Sequence, residues 1–293
     1  MPATDPSTSV RRRASGRLSR PARGAVAVLA AVALFGLVAA CSSDDDSSPT
    51  TTASEKTTTT APKKLTILVS NDDGVGAEGI DVLVNALKKM PDTEVIVSAP
   101  ATNQSGAGGK TTPGELTATP TTMISGTDAT GVAGFPADSV AWALDGGIEQ
   151  KPQLVVTGVN SGQNIGAFIA LSGTVGAARA GAERGIPALA VSAGINDAEG
   201  YAEAAALAVK WIEEHRAALL DGSMATTPAS VTNINVPACS AGTPRGLVEV
   251  PASSQPPADL NPVDCSAPAP PAPTDDNTAI AGGWASISDI GMG

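Results

Sequence analysis

The stretch "LTILVSNDDGVGAEGIDVLVNALKKM", Leu65 to Met90, decides the fold. It opens on an apolar run rich in β-formers, Leu65 to Ser70, and turns through two adjacent acids and a glycine, Asp72, Asp73 and Gly74. It then shows apolar residues at helical spacing, Ile80, Leu83, Val84 and Leu87. A strand with no polar alternation is buried on both faces, and a helix directly behind it covers one of them. The pattern repeats. "EVIVSA" (Glu94 to Ala99), "LVVTG" (Leu154 to Gly158), "ALAVS" (Ala188 to Ser192) and "VTNINV" (Val231 to Val236) read as strands. "ADSVAWAL" (Ala137 to Leu144), "TVGAARAGAERG" (Thr174 to Gly185) and "YAEAAALAVKWIEEHRAALL" (Tyr201 to Leu220) read as helices. The alternation predicts an α/β fold, a Rossmann-like and mostly parallel sheet with helices on both faces and right-handed crossovers.

Upstream, "RRRASGRLSRPAR" (Arg11 to Arg23) is basic, and seventeen apolar residues, Gly24 to Ala40, run up to Cys41. A charged start, an apolar middle and small residues before a cut make an export signal, residues 1–40. "VAAC" resembles a bacterial lipobox, so Cys41 is the expected lipidation site. An uncleaved anchor is the alternative, at the short limit for a span. Either way the domain is exported and tethered to the outer face of the membrane. Residues 41–64 are Ser- and Thr-rich and lack the apolar side chains needed to fold, which marks a flexible linker. The folded domain is expected over 65–293. Its last part, about 240–293, is Pro- and Ala-rich in the middle and carries apolar stretches at Arg245 to Val250 and Thr278 to Ile290. These predict a C-terminal β-hairpin or arm extension, packed on the core or on a second subunit.

The chain has a formal net charge of -11; six arginines against one aspartate in the first 40 residues leave the rest at -16. Such a surface repels nucleic acid polymers. The single histidine, His215, excludes His-based triads and His-ligated zinc. Cys239 and Cys265 remain after export; an oxidising compartment permits a disulfide between them, and two free thiols are the alternative.

In an open α/β sheet ligands bind beyond the carboxyl ends of the strands. There the first strand offers Asn71, Asp72 and Asp73. The second offers "APATNQSGAGG" (Ala99 to Gly109), and the third "GVNSGQNIG" (Gly158 to Gly166). Carboxylates, hydroxyls and amide oxygens suit magnesium, manganese or calcium rather than zinc or copper. Two adjacent carboxylates repel each other unless a cation lies beside them. In "LSGTVGAARAG" (Leu171 to Gly181), Ser172, Gly173 and Thr174 stand at a helix start, which suits an anion, or else simply caps the helix. A metal and an anion site at one crevice point to a phosphoryl ester.

The segments "ILVSNDDGVGAEGI", "VSAPATNQSGAG", "GFPADSVAWAL", "LVVTGVNSGQNIG" and "LSGTVGAARAGAERGIPALAVS", in this order, resemble the SurE family of metal-dependent nucleotidases. That family is also described as acid phosphatases and stationary-phase survival proteins. The resemblance implies a Rossmann-like core with a C-terminal extension often exchanged between subunits, hence a homodimer or tetramer. It also implies one divalent cation per subunit, magnesium or manganese with calcium as a further option, on Asp72, Asp73, Ser105 and Asn160. Phosphate would lie at Ser172, Gly173 and Thr174, and the substrates would be nucleoside 5′- and 3′-monophosphates, in some members short polyphosphate. Phe135 stands where the family usually has Thr, Gln104 where Arg is common, and "SISDIGMG" departs from the usual ending.

The reaction expected is phosphomonoester hydrolysis, with Asp72 and Asp73 as catalytic candidates and Asp72 preferred as nucleophile or base. The alternative is a non-enzymatic nucleotide- or solute-binding lipoprotein, a kind that usually carries two comparable lobes, for which the second half here is too short and Pro-rich; a surface interaction protein comes third. Phe168 is the best candidate for stacking on a base, ahead of Tyr201 and Phe135. Trp211 reads as core, and His215 as lying on a solvated helix face.

Overall fold

The computed structural model describes residues 63–224 and 229–292. The expected export signal, the lipidation site Cys41 and almost all of the linker lie outside the described residues. The strands are β1 (Leu65–Ser70), β2 (Thr93–Pro100), β3 (Ala118–Thr122), β4 (Asp128–Val132), β5 (Leu154–Ser161), β6 (Ala188–Ala193), β7 (Val231–Asn235), β8 (Cys239–Ala241), β9 (Leu247–Glu249), β10 (Val263–Asp264) and β11 (Ala285–Ile290). The α-helices are α1 (Glu78–Leu87), α2 (Pro136–Trp142), α3 (Gly173–Ala182), α4 (Ala198–Asp221) and α5 (Asp276–Ala281), with a 3-10 segment at Gly166–Leu171. No described helix is long and apolar enough to cross a membrane.

Nine strands form one sheet in the order β3-β4-β2-β1-β5-β6-β7-β11-β9. β1 lies at its heart, parallel to β2 with Leu65 opposite Thr93, and parallel to β5 with Ile67 opposite Leu154. β5, β6 and β7 continue in parallel. Every residue of β1 is buried, because both faces are covered. Ile67, Val69, Leu154 and Val156 pack with α1 and α4, while Leu68 and Val155 pack with α2 and α3. Each such side chain stabilises the fold by about 1.5–3 kcal/mol through burial. The parallel strands therefore end at one edge, with β2, β1 and β5 side by side. No second lobe occurs among the described residues.

The C-terminal strands are present: β9 and β11 join the main sheet as individual strands, while β8 and β10 pair with each other in a separate two-stranded sheet. β11 pairs antiparallel to β7, with Ser286 opposite Asn235, and parallel to β9. The first part of the expected strand, from Thr278, is helical instead. Asp275 caps α5 by accepting from the Thr278 amide at 2.8 Å, and the chain straightens only after Gly282 and Gly283. An edge hairpin, β3 and β4, also departs from the sequence expectation.

Cys239 and Cys265 are disulfide-bonded, with Cα atoms 5.6 Å apart, and they join β8 to β10. The bridge closes a loop with a sequence separation of 26 residues. Replacing both cysteines with serine is expected to lower stability by about 2–4 kcal/mol, read as the shift in the urea unfolding midpoint.

Candidate active site

The loop after β1 turns on itself through Asn71, whose Nδ2 donates to the Gly74 carbonyl at 2.9 Å. Gly74 has φ 99°, and a Cβ there would lie 3.1 Å from the Thr102 carbonyl carbon, so only glycine suits the turn. The second loop is stitched to the first by the Gln104 amide, which donates to the Asp72 carbonyl at 2.7 Å. Asp73 bridges all three loops. Its Oδ1 accepts from Ser105 Oγ and Asn103 Nδ2, both at 3.3 Å, and its Oδ2 accepts from the Ser161 amide at 3.0 Å. Asn160 donates through Nδ2 to the Gly162 carbonyl at 2.6 Å, which turns its Oδ1 away as an acceptor with no donor among the described residues. Asp72, Ser105, Asn160 and Ser172 border one cleft of about 290 Å³.

Asp72 is 3% exposed. Burial pushes its carboxyl up to about 6; the Thr174 hydroxyl opposes the rise, and Asp73 adds to it. Thr174 Oγ1 donates to Asp72 Oδ1 at 2.6 Å across 102 residues of sequence. This contact needs α3 to approach closely: a Cβ on Gly173 would lie 2.7 Å from the Asp72 Cβ.

The start of α3 differs from the sequence reading in one respect. Ser172 is its N-cap, accepting from the Val175 amide at 3.1 Å, and its hydroxyl hydrogen stays available. The Gly173 amide lacks an acceptor among the described residues. Thr174, expected to hold phosphate, is fully buried and spends its hydroxyl on Asp72 instead.

The donor set fits a hard divalent cation. The described ion pairs are Lys64–Glu94, Arg184–Asp145 and Lys210–Glu214, so neither cleft carboxylate has a cationic partner among the described residues. Among those residues no cluster of three or more His, Cys, Asp or Glu side chains occurs. Two carboxylates completed by the oxygens of Ser105 and Asn160 are the available set, and they are ligands of the magnesium and manganese class.

Several contributors were missed in the sequence. Gln163 and Asn164 form the cleft floor beside Asn160. The Asn164 amide donates to Asn235 Oδ1 at 2.7 Å, and its Nδ2 donates to Ser192 Oγ at 2.9 Å. Asn233 and Asn235 donate back to the Asn164 carbonyl. The signal was present in "VTNINV": two asparagines in a buried strand demand partners. Of the aromatic candidates only Phe168 borders the cleft. Tyr201 is core, and Phe135 stands at the N-cap of α2. Trp211 is core as expected, whereas His215 is half-buried, its ring 4.5 Å from that of Trp211. A larger cavity of about 450 Å³ adjoins Trp211, Leu247 and Ile287 at the opposite end of β6 and β7, away from the converging loops.

The fold and cleft define a class: α/β proteins that gather hard oxygen donors beyond adjacent strand ends, next to a helix start. The chain belongs to the SurE family; the model of the family described as Survival protein SurE matches residues 67–255. It is similar to the 5′-nucleotidase SurE of Methanopyrus kandleri, 37% identical over 175 residues, 59% of this chain and 66% of that protein. It is also similar to the 5′-nucleotidase SurE of Sorangium cellulosum, 40% identical over 176 residues, 59% of this chain and 64% of that one. The matched part thus spans slightly less than two thirds of these relatives. The crystal structure of the SurE protein from Aquifex aeolicus matches with a TM-score of 0.60 at 26% identity, over 78% of this chain and 94% of that one.

The raised Asp72 carboxyl has a consequence for the metal-free protein. Below pH 3.8 it is protonated in both folded and unfolded chains and costs nothing; the stability it contributes is lost as pH rises and is gone above about pH 6. In chelator, Asp72→Asn is therefore expected to match the wild type near pH 4 and to exceed it by up to about 3 kcal/mol at pH 8, measured by denaturant unfolding.

Proposed function

We propose that the chain is a divalent-cation-dependent phosphomonoesterase that hydrolyses nucleoside 5′-monophosphates, and 3′-monophosphates secondarily. The observation that carries this reading is the convergence of Asp72, Ser105 and Asn160 on one cleft beside the first turn of α3, with Asp73 hydrogen-bonded to Ser105 and Ser161 at its border. Membership of the family and the names of the similar relatives support it.

Asp72, Asp73, Ser105 and Asn160 would hold magnesium or manganese, which when bound supplies positive charge to a phosphoryl oxygen and acidity to the attacking water. The Gly173 amide and the Ser172 hydroxyl donate to the remaining phosphoryl oxygens, favoured by the positive end of the α3 dipole. Thr174 holds Asp72 Oδ1, so Oδ2 faces the task of accepting the water proton. Asp73, bound to all three loops, keeps them in register.

The protein acts outside the cytoplasm, anchored by lipid on Cys41. The Cys239–Cys265 disulfide supports an oxidising location. It assembles as a homodimer or tetramer through the C-terminal region. There β9 is the outermost strand, with one edge unpaired among the described residues.

A panel of nucleoside monophosphates and an aryl phosphate, assayed with magnesium, manganese or chelator, tests the reading. Nucleotide turnover that needs a cation and falls at least about 100-fold in Asp72→Asn is expected. Manganese should also raise the melting temperature of the wild type but not that of Asp73→Ala. Undiminished turnover in chelator, or none on any phosphomonoester, overturns it.

A further inference from the structure

Phe168 and Leu171 are 37% and 62% exposed, and both border the cleft. Their backbone is held firmly. The Gly166 amide donates to Asp276 Oδ2 at 2.9 Å, the Ala167 amide to the Gln255 carbonyl at 3.0 Å, and the Gly108 amide to the Leu171 carbonyl at 3.0 Å. Asp276 is fully buried and spends its other oxygen on the amides of Ser253 and Asn277, both at 2.8 Å. Apolar side chains offered to water from a clamped backbone form a ready contact surface, with little ordering entropy left to lose.

A second observation comes from Gln163 in the same cleft. It is 3% exposed, and its Nε2 donates to the Val236 carbonyl at 3.1 Å, which fixes the orientation of the amide. Its Oε1 accepts no hydrogen bond among the described residues. A buried acceptor without a donor costs about 1–3 kcal/mol, and a ligand hydroxyl removes that cost.

We propose that Phe168, Leu171 and Gln163 form the leaving-group subsite of this cleft, built for a nucleoside. The heterocyclic base stacks on Phe168 with Leu171 at its edge, and Gln163 Oε1 accepts from a sugar hydroxyl. Chain adjacency sets the layout. Leu171 directly precedes Ser172 and Gly173, so an ester whose phosphoryl group lies at the start of α3 has its leaving group alongside the apolar wall. This subsite rests on the phosphomonoesterase reading above and names the residues that choose among esters.

The test compares adenosine 5′-monophosphate with ribose 5-phosphate, which keeps the sugar and phosphate but lacks the base, using the full chain with manganese. Phe168 is exposed, so Phe168→Ala leaves the core intact. It is expected to lower kcat/KM for the nucleotide about 5- to 100-fold, mainly through KM, while leaving ribose 5-phosphate unchanged, and Phe168→Trp should restore the preference. Calorimetric titration with adenosine alone should show weaker binding to Phe168→Ala by a similar factor. If Phe168→Ala affects the two esters equally, or affects neither, the subsite is wrong and the phosphatase reading survives. If the wild type hydrolyses neither of these esters nor any other phosphomonoester of the panel above, the phosphatase reading fails. The adenosine titration then still decides the subsite, since equal affinity of wild type and variant overturns it.

Discussion

The cleft depends on a carboxylate placed where water scarcely reaches. Desolvation is the largest influence on Asp72, larger than the neighbouring charge of Asp73. The Thr174 hydroxyl, helped by backbone hydrogen bonds, partly offsets it. The surrounding design follows from keeping this unfavourable group in place. Gly173 lets α3 come close enough to supply the hydroxyl, and the Gln104 amide fixes the Asp72 backbone. Local instability of this sort persists only where the rest of the fold over-determines the geometry. Here the over-determination comes from β1, buried on both faces.

Around that carboxylate the polar network is largely backbone and amide. Asn164 exchanges hydrogen bonds with Asn235, Asn233 and Ser192 at the ends of two further strands. The loop after β5 is thus tied to β6 and β7 as firmly as Asp73 ties it to β1. Neutral amides can do this without adding charge beside two acids, which arginine or lysine would neutralise and glutamate would aggravate. The cleft keeps its negative character, and the oxygen donors remain unquenched.

The core of the fold was legible because both-face burial leaves an unmistakable trace: Leu65 to Ser70 and Leu154 to Gly158 have no polar alternation. The Asp–Asp pair and its companion loops were legible because each follows an apolar strand run, and in a parallel sheet those ends share one edge; the strand order itself came from the structure. The β3–β4 hairpin was not, because "ATPTT" and "DATGV" are short, polar and interrupted by proline and glycine, which an edge tolerates and periodicity cannot detect. The task of Thr174 was hidden because its partner lies 102 residues away, and locally a threonine at a helix start looks like a cap or an anion ligand. In the C-terminal region, local capping by Asp275 outweighed the β-like composition of "TAIAGG".

The clamp that Asp276 places on Gly166 joins the carboxy-terminal segment to the apolar rim of the cleft, 110 residues earlier in the chain. During synthesis the loops after β1, β2 and β5 emerge long before Asp276. The rim therefore acquires its final shape only when the trailing segment docks. Assembly is ordered from the amino end, with the apolar rim of the cleft completed last. Changes around Asp276 can reshape that rim while the acidic loops stay untouched.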